Sequence, residues 1–207
     1  MSPLDIFGGL IKLLTLDFEG FVEFFNNVPV EITWIILLFF CFTSILFFLK
    51  FFGEIGIHIY TVIAIIIANI QVLKVVKFSF FSNPVALGTI LFASTFLCTD
   101  ILAEHFSVKS AKRNILLGFI GFLFTTILLL FTIGFKPIDE IIAGEDYFWA
   151  LQIQENFLSV FMPFPIFFIA SMIAYLSSQF FDVWFYEKIS LYTNKKFLWI
   201  RNNFSTI

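Results

Sequence analysis

Charge is scarce in this chain. Asp, Glu, Lys and Arg make up 13% of its 207 residues, about half the share of an ordinary soluble domain. Acidic residues outnumber basic ones, for a net charge of −3. That balance excludes a nucleic-acid partner held by phosphate contacts. Histidine and cysteine number two each. His58 and His105 lie far apart in sequence, with no ligand cluster around either. Cys41 and Cys98 each sit inside an apolar run and read as space-filling thiols, with no disulfide or metal implied. There is no G-x-x-x-x-G-K-[ST] loop, no H-E-x-x-H and no C-x-x-C. No catalytic residue, cofactor or metal site is therefore expected, and a membrane enzyme lacks its nucleophile–base pair. The N-terminus also lacks the basic opening of a signal peptide. Residues 1–31 hold Lys12 against Asp5, Asp17, Glu19, Glu23 and Glu31. Leu4, Ile6, Phe7, Leu10, Ile11, Leu13 and Leu14 recur at helical spacing, which predicts an interfacial amphipathic helix, weakened by Gly8 and Gly9.

What the chain has is apolar bulk. Hydrophobic residues make up 60% and aromatics 21%, with 34 Phe, and mean hydropathy is +0.99. A soluble fold this small cannot hide that surface, so the solvent must be lipid. A spanning helix needs ~20 apolar residues, and five stretches qualify. They lie between Glu31 and Lys50, between Glu54 and Lys74, between Lys77 and Asp100, from Arg113 to Lys136, and from Glu155 to Asp182. Pro84 marks the start of the third. Pro163 and Pro165 lie near the start of the fifth and mark its first turn or break its entry. Lipid forces backbone hydrogen bonding to be internal, so run length overrides the strand propensity of Phe and Ile. The expected fold is all-α: a polytopic transmembrane bundle of about five spanning helices. Three units are expected: an interfacial segment at 1–31, an extra N-terminal helix at 32–52 and the membrane domain at 53–207.

Lys50, Lys109, Lys112, Arg113, Lys188, Lys195, Lys196 and Arg201 fall on one side of such a bundle. Lys12, Lys74, Lys77 and Lys136 fall on the other. The positive-inside rule then places the N-terminus outside and the C-terminus in the cytoplasm. Ala64 and Ala68, Gly118 and Gly121, and Ala170 and Ala174 have helix-packing spacing. Trp184, Tyr186, Tyr192 and Trp199 read as interfacial.

Polar groups inside the spans are few and costly, so each is a site candidate. Asp100 and Glu104 share a helix face at the end of the third span. Gln71 and Lys74 share a face at the end of the second, while Asn69 points to a neighbouring helix. Ser171, Tyr175, Gln179 and Asp182 follow i, i+4, i+8 and i+11, one polar stripe on an apolar helix. Amides and carboxylates together suit a neutral or cationic ligand rich in hydrogen-bond donors, with phenylalanines as apolar walls.

Four ordered segments carry a resemblance. They are FGEIGIHIYTVIAIIIANIQVLKVVKF (52–78), LGTILFASTFLCTDILAEHFSVKSAKRNILLGF (87–119), IASMIAYLSSQFFDVWFYEKI (169–189) and LWIRNNFSTI (198–207). With their ANIQVLK, TDILAE, AYLSSQFFDV and LWIRNN-ST signatures, they resemble the queuosine precursor transporters, also grouped as vitamin-uptake-transporter-like proteins. The resemblance implies import of queuine or another 7-deazaguanine for tRNA modification across the cell's inner membrane. It implies a planar, nucleobase-like ligand whose amidine-like edge pairs with a carboxylate. Asp100, Glu104 or Asp182 would supply that carboxylate, and Asn69, Gln71 and Gln179 would read the ring edges, with Tyr175 beside them. Lys74, Thr99, Ser171, Arg201 and Asn202 are assigned structural or secondary roles. The chain departs from the family pattern at Phe106, Ser107 and Val108, where Tyr-Gly-Lys is usual, and at Ile166, where Arg often follows Pro. The family core has six helices and continues past the RNN-ST signature, so a C-terminal part is expected to be missing. The alternative expectation is a substrate-binding membrane subunit dependent on a separate ATPase module. A second copy of the chain is the other open protein partner.

Overall fold

The computed structural model describes residues 3–162 and 164–192. Arg201, Asn202, Lys195, Lys196, Trp199 and Pro163 lie outside them. Two short helices come first, α1 (Pro3–Leu14) and α2 (Phe18–Asn26). Asp17 caps α2 by accepting the Gly20 N–H at 2.9 Å, satisfying one of the free donors of the first turn.

The next helix, α3 (Val30–Gln71), is 42 residues long and breaks at Gly53, where φ is +58° and ψ −137°. Only glycine takes that backbone without strain. The break folds α3 into two antiparallel arms, 30–52 and 54–71. A Cβ on Gly56 would lie 2.2 Å from the Phe48 carbonyl oxygen, and the Phe48 and Tyr60 rings are 6.2 Å apart. At the far end Trp34 meets Phe78 edge-on at 6.3 Å, and Glu31 accepts the Ser79 N–H at 2.6 Å. One hairpin thus supplies the first two expected passes.

Residues 77–88 do not begin the third pass. They belong to a β-hairpin, β1 (Val75–Val76) with β2 (Val85–Ala86), in antiparallel register Val75 to Ala86 and Val76 to Val85. β-branched valines suit the paired strands, and the Asn83–Pro84 step suits a turn and denies a helix its amide donor. The pass itself is α4 (Thr89–His105). It starts after Gly88, whose φ is +105° and where a Cβ would lie 2.6 Å from the Ala68 carbonyl oxygen, so a side chain has no room. Then α5 (Val108–Gly134) follows directly, capped by Ser107, whose Oγ accepts the Ser110 N–H at 3.0 Å. The fifth expected run is split into α7 (Phe148–Phe161) and α8 (Phe164–Tyr192), after the single turn α6 (Glu140–Ala143). α7 ends at Phe161 and α8 begins at Phe164, and Pro165 sits in the first turn of α8, where its missing N–H costs nothing.

Five rods therefore pack together: the two arms of α3, then α4, α5 and α8. By length and apolar composition, α3 and α5 are each sufficient to cross a membrane. Polarity is inverted relative to a soluble fold. Phe39, Phe40, Leu46, Ile63, Phe124 and Phe131 are exposed, whereas Thr61, Asn69, Thr95, Thr99, Asn114, Gln179 and Asp182 are buried. An apolar shell over a polar seam is what lipid selects. The chain is an all-α membrane bundle. Gly118 and Gly121 face Ile65 and Val62 of the second arm, and Ala64 and Ala68 are buried. Ala170 and Ala174 are exposed, so that pair does not serve packing within the chain.

Candidate functional site

The α8 stripe faces the bundle interior. Ser171 Oγ donates to Asn69 Oδ1 at 2.8 Å, and Asn69 Nδ2 donates to the Ile65 carbonyl at 2.8 Å. Tyr175 is buried against Gly118, where a Cβ would lie 2.8 Å from its hydroxyl. That hydroxyl is enclosed with no hydrogen-bond partner among the described residues. Gln179 is fully buried. Its Nε2 donates to Thr95 Oγ1 at 2.9 Å, and its Oε1 accepts from Thr99 Oγ1 at 3.1 Å. Asp182 is buried one turn further on. Tyr186 then donates its hydroxyl to Glu104 Oε2.

Three carboxylates gather at that end. Asp100 and Glu104 lie one turn apart on α4, and Asp182 and Glu104 both act electrostatically on Asp100. A pocket of about 310 Å³ opens beside them, lined by Glu104, Ser107, Tyr186 and Ser190 among others. Lys112 Nζ of α5 meets Glu187 Oε2 of α8 at 3.0 Å, both side chains half-exposed. Of the three carboxylates Glu104 lines this pocket, and a negatively charged acceptor there favours a cation or a donor-rich planar edge.

Gln71 is placed elsewhere. It ends the second arm and lines a cavity of about 260 Å³ between the arms, with Cys41, Ser44, Phe48 and Tyr60. Its Oε1 is enclosed with no partner among the described residues. Lys74 lies past the end of α3 and is exposed, so the two do not share a helix face. Asn69 bonds Ser171, eleven residues before Asp182 on α8, a rise of about 16 Å along the helix. Asn69 and Gln71 thus mark one end of the seam and the carboxylates the other. A single small planar molecule does not touch both ends at once.

Sequence reasoning missed three features. Tyr186 was expected at the interface but is buried on Glu104, because i, i+4 spacing continues the stripe from Asp182. Thr95 hides among apolar neighbours, and only its i, i+4 relation to Thr99 signals a shared face. Glu54, His58 and Thr61 form a second polar face, on the second arm, against Ser110 and Asn114 of α5. Their i, i+4, i+7 spacing was the available signal.

Comparison with known proteins agrees with the motifs. A family model described as "Putative vitamin uptake transporter" matches residues 86–207. A protein of Bacillus subtilis (strain 168) named "Probable queuosine precursor transporter" is 30% identical over 174 residues, covering 84% of this chain and 71% of the relative. No solved structure matches the chain. The matched region contains α4, α5 and α8, the helices that carry the carboxylates, the threonine pair and the polar stripe. The chain belongs to the queuosine precursor transporter family of vitamin-uptake-transporter-like membrane proteins.

Proposed function

We propose that this membrane transporter imports queuosine precursors, queuine or other 7-deazaguanines, across the cell's inner membrane. The observation that carries the reading is the Asp100–Glu104–Asp182 cluster beside the buried Gln179. A carboxylate accepts two parallel hydrogen bonds from an amidine-like edge. Gln179 adds a carboxamide with a second N–H, and Asp182 follows it by three residues on the same face. An aminomethyl substituent, being cationic, gains from the same carboxylates. The name of the Bacillus subtilis relative supports the substrate class.

The orientation that fits has the carboxylate end in the cytoplasm. Lys112 and Arg113 lie in the first turns of α5 there, and Lys188 lies in the C-terminal part of α8. Residues 1–31 are then assigned to the outer interface and the first arm of α3 to an added pass ahead of the family core. The test is uptake of labelled queuine by cells unable to make queuosine, scored as queuosine in tRNA. Restoration by the unaltered chain and its loss in Asp182→Asn at equal membrane expression is expected. Restoration equal in both refutes the carboxylate assignment. Uptake by the purified protein in liposomes excludes dependence on an ATPase module.

A further inference from the structure

The seam between the second arm of α3 and the start of α5 holds a chain of polar groups outside the candidate site. Asn114 is fully buried. Its Nδ2 donates to Thr61 Oγ1 at 3.0 Å, which leaves its Oδ1 as the acceptor 2.8 Å from His58 Nδ1. An acceptor there requires a hydrogen on Nδ1. In neutral imidazole the other nitrogen, Nε2, then carries a bare lone pair. That atom is enclosed and has no hydrogen-bond partner among the described residues. The nearest acceptor it faces is Glu54 Oε1 at 3.5 Å, the same oxygen that accepts the Ser110 hydroxyl at 2.6 Å.

A lone pair facing a carboxylate is repulsive, and an N–H in its place is attractive. The enclosure prevents water from supplying the missing donor freely, since the His58 side chain is only 11% exposed. We infer that His58, clamped between Asn114 and Glu54, is a proton-binding site whose occupation locks the second arm of α3 onto α5. With the proton bound, imidazolium donates from both nitrogens, to Asn114 on α5 and toward Glu54, which Ser110 ties to α5 in turn. Without it, one contact in the row becomes repulsive and the arm is freer to move about Gly53, one residue before Glu54.

The charges around the site are few. Glu54 shares the helix with His58. From α5, Arg113 acts on Glu54. From α4, the Cys98 thiol meets Thr61. Across the Gly53 break, Lys50 lies over the Phe51 ring, 5.8 Å from its centre. The site goes beyond the transport reading and holds whichever substrate is carried.

The test is NMR of the full chain in lipid nanodiscs with labelled histidine imidazoles. His105 is exposed and serves as the internal reference, assigned with His105→Gln. At high pH the His58 signal should be that of the Nδ1–H tautomer. On acidification an Nε2–H signal should appear. Amide exchange in 54–61 and 110–118 should slow at the same time. In Glu54→Gln the Nε2–H signal at low pH should be weaker than in the unaltered chain, since the facing charge is gone. An Nε2–H tautomer at high pH, or an Nε2–H signal at low pH as strong in Glu54→Gln as in the unaltered chain, overturns the inference. Exchange that does not change as the Nε2–H signal appears overturns the lock.

Discussion

Replacing Gln179 separates what the buried carboxamide does for packing from what it does for a ligand. The structure gives it two interhelical hydrogen bonds, from Nε2 to Thr95 Oγ1 at 2.9 Å and from Thr99 Oγ1 to Oε1 at 3.1 Å. Neither threonine is orphaned by its loss. Thr95 Oγ1 also donates to the Phe92 carbonyl at 2.7 Å, and Thr99 Oγ1 reaches the Phe96 carbonyl at 2.8 Å. The cost of Gln179→Met, which keeps the volume, is then the two contacts alone. At about 0.6 kcal/mol each inside a bilayer, that is about 1.2 kcal/mol, close to a tenfold change in an equilibrium constant. Gln179→Ala adds a cavity and should lose about 2–4 kcal/mol. The assay is unfolding by steric trapping in mixed micelles, run as a double-mutant cycle with Thr95→Val. A coupling of about 0.6 kcal/mol between positions 95 and 179 is expected. Zero coupling, with Gln179→Met as stable as the unaltered protein, refutes the claim that this pair ties α8 to α4. If stability falls as expected while queuine uptake survives, the carboxamide is a strut and ligand recognition rests on the carboxylates.

Three further outcomes follow from single contacts. Gly118→Ala should destabilise by about 1–3 kcal/mol, because its Cβ would lie 2.3 Å from Ile65 Cδ1 and 2.8 Å from the Tyr175 hydroxyl. Ile65→Val should recover part of that loss in the same unfolding assay, and no recovery means that the Tyr175 side limits the fit. Gly53→Ala should cost about 1–3 kcal/mol through backbone strain alone, since nothing lies within 4 Å of the new methyl. Its loss should therefore add to those of substitutions at neighbouring side chains, with no coupling. The Ser79 backbone N–H donated to Glu31 holds that carboxyl below the usual carboxylate range. A depressed value means that the contact contributes above the unfolded-state value and is lost as pH falls through the lowered one. Amide exchange at Ser79 should therefore rise only in strong acid, and Glu31→Gln should raise it at neutral pH and remove the acid step.

The rods and the stripe were legible because their signals are periodic and large. Spans of apolar residues and the i, i+4, i+8, i+11 spacing from Ser171 to Asp182 survive any detail of packing. Where the reading failed, a local rule outweighed the average. Hydropathy alone runs through Lys77–Gly88, yet valines paired across an Asn–Pro turn make a hairpin there, so strand propensity prevailed over run length at the bundle end. The fifth run, whose prolines mark its first turn or break its entry, is divided into α7 and α8. Distance along the bundle was the harder quantity. Residues on three helices can be grouped by type, but only the pairing of Asn69 with Ser171 and of Glu104 with Tyr186 shows that the amides and the carboxylates lie at opposite ends of one seam.

That separation bears on how the protein works. A buried seam with acceptors near one end, a threonine–glutamine pair midway and an asparagine at the other is a row of weak polar steps set in an apolar body. Each step is already partnered by a neighbouring helix, so a ligand moving along it, as the import proposal requires, exchanges one hydrogen bond for another and need not break one outright. At roughly 0.6 kcal/mol per interhelical contact, such exchanges are cheap against thermal energy. The carboxylates are different, because charge brought from water is expensive to leave unmatched. On the proposed import reading, that asymmetry assigns selection of the ligand to the Asp100–Asp182 end and leaves the rest of α8 for its movement.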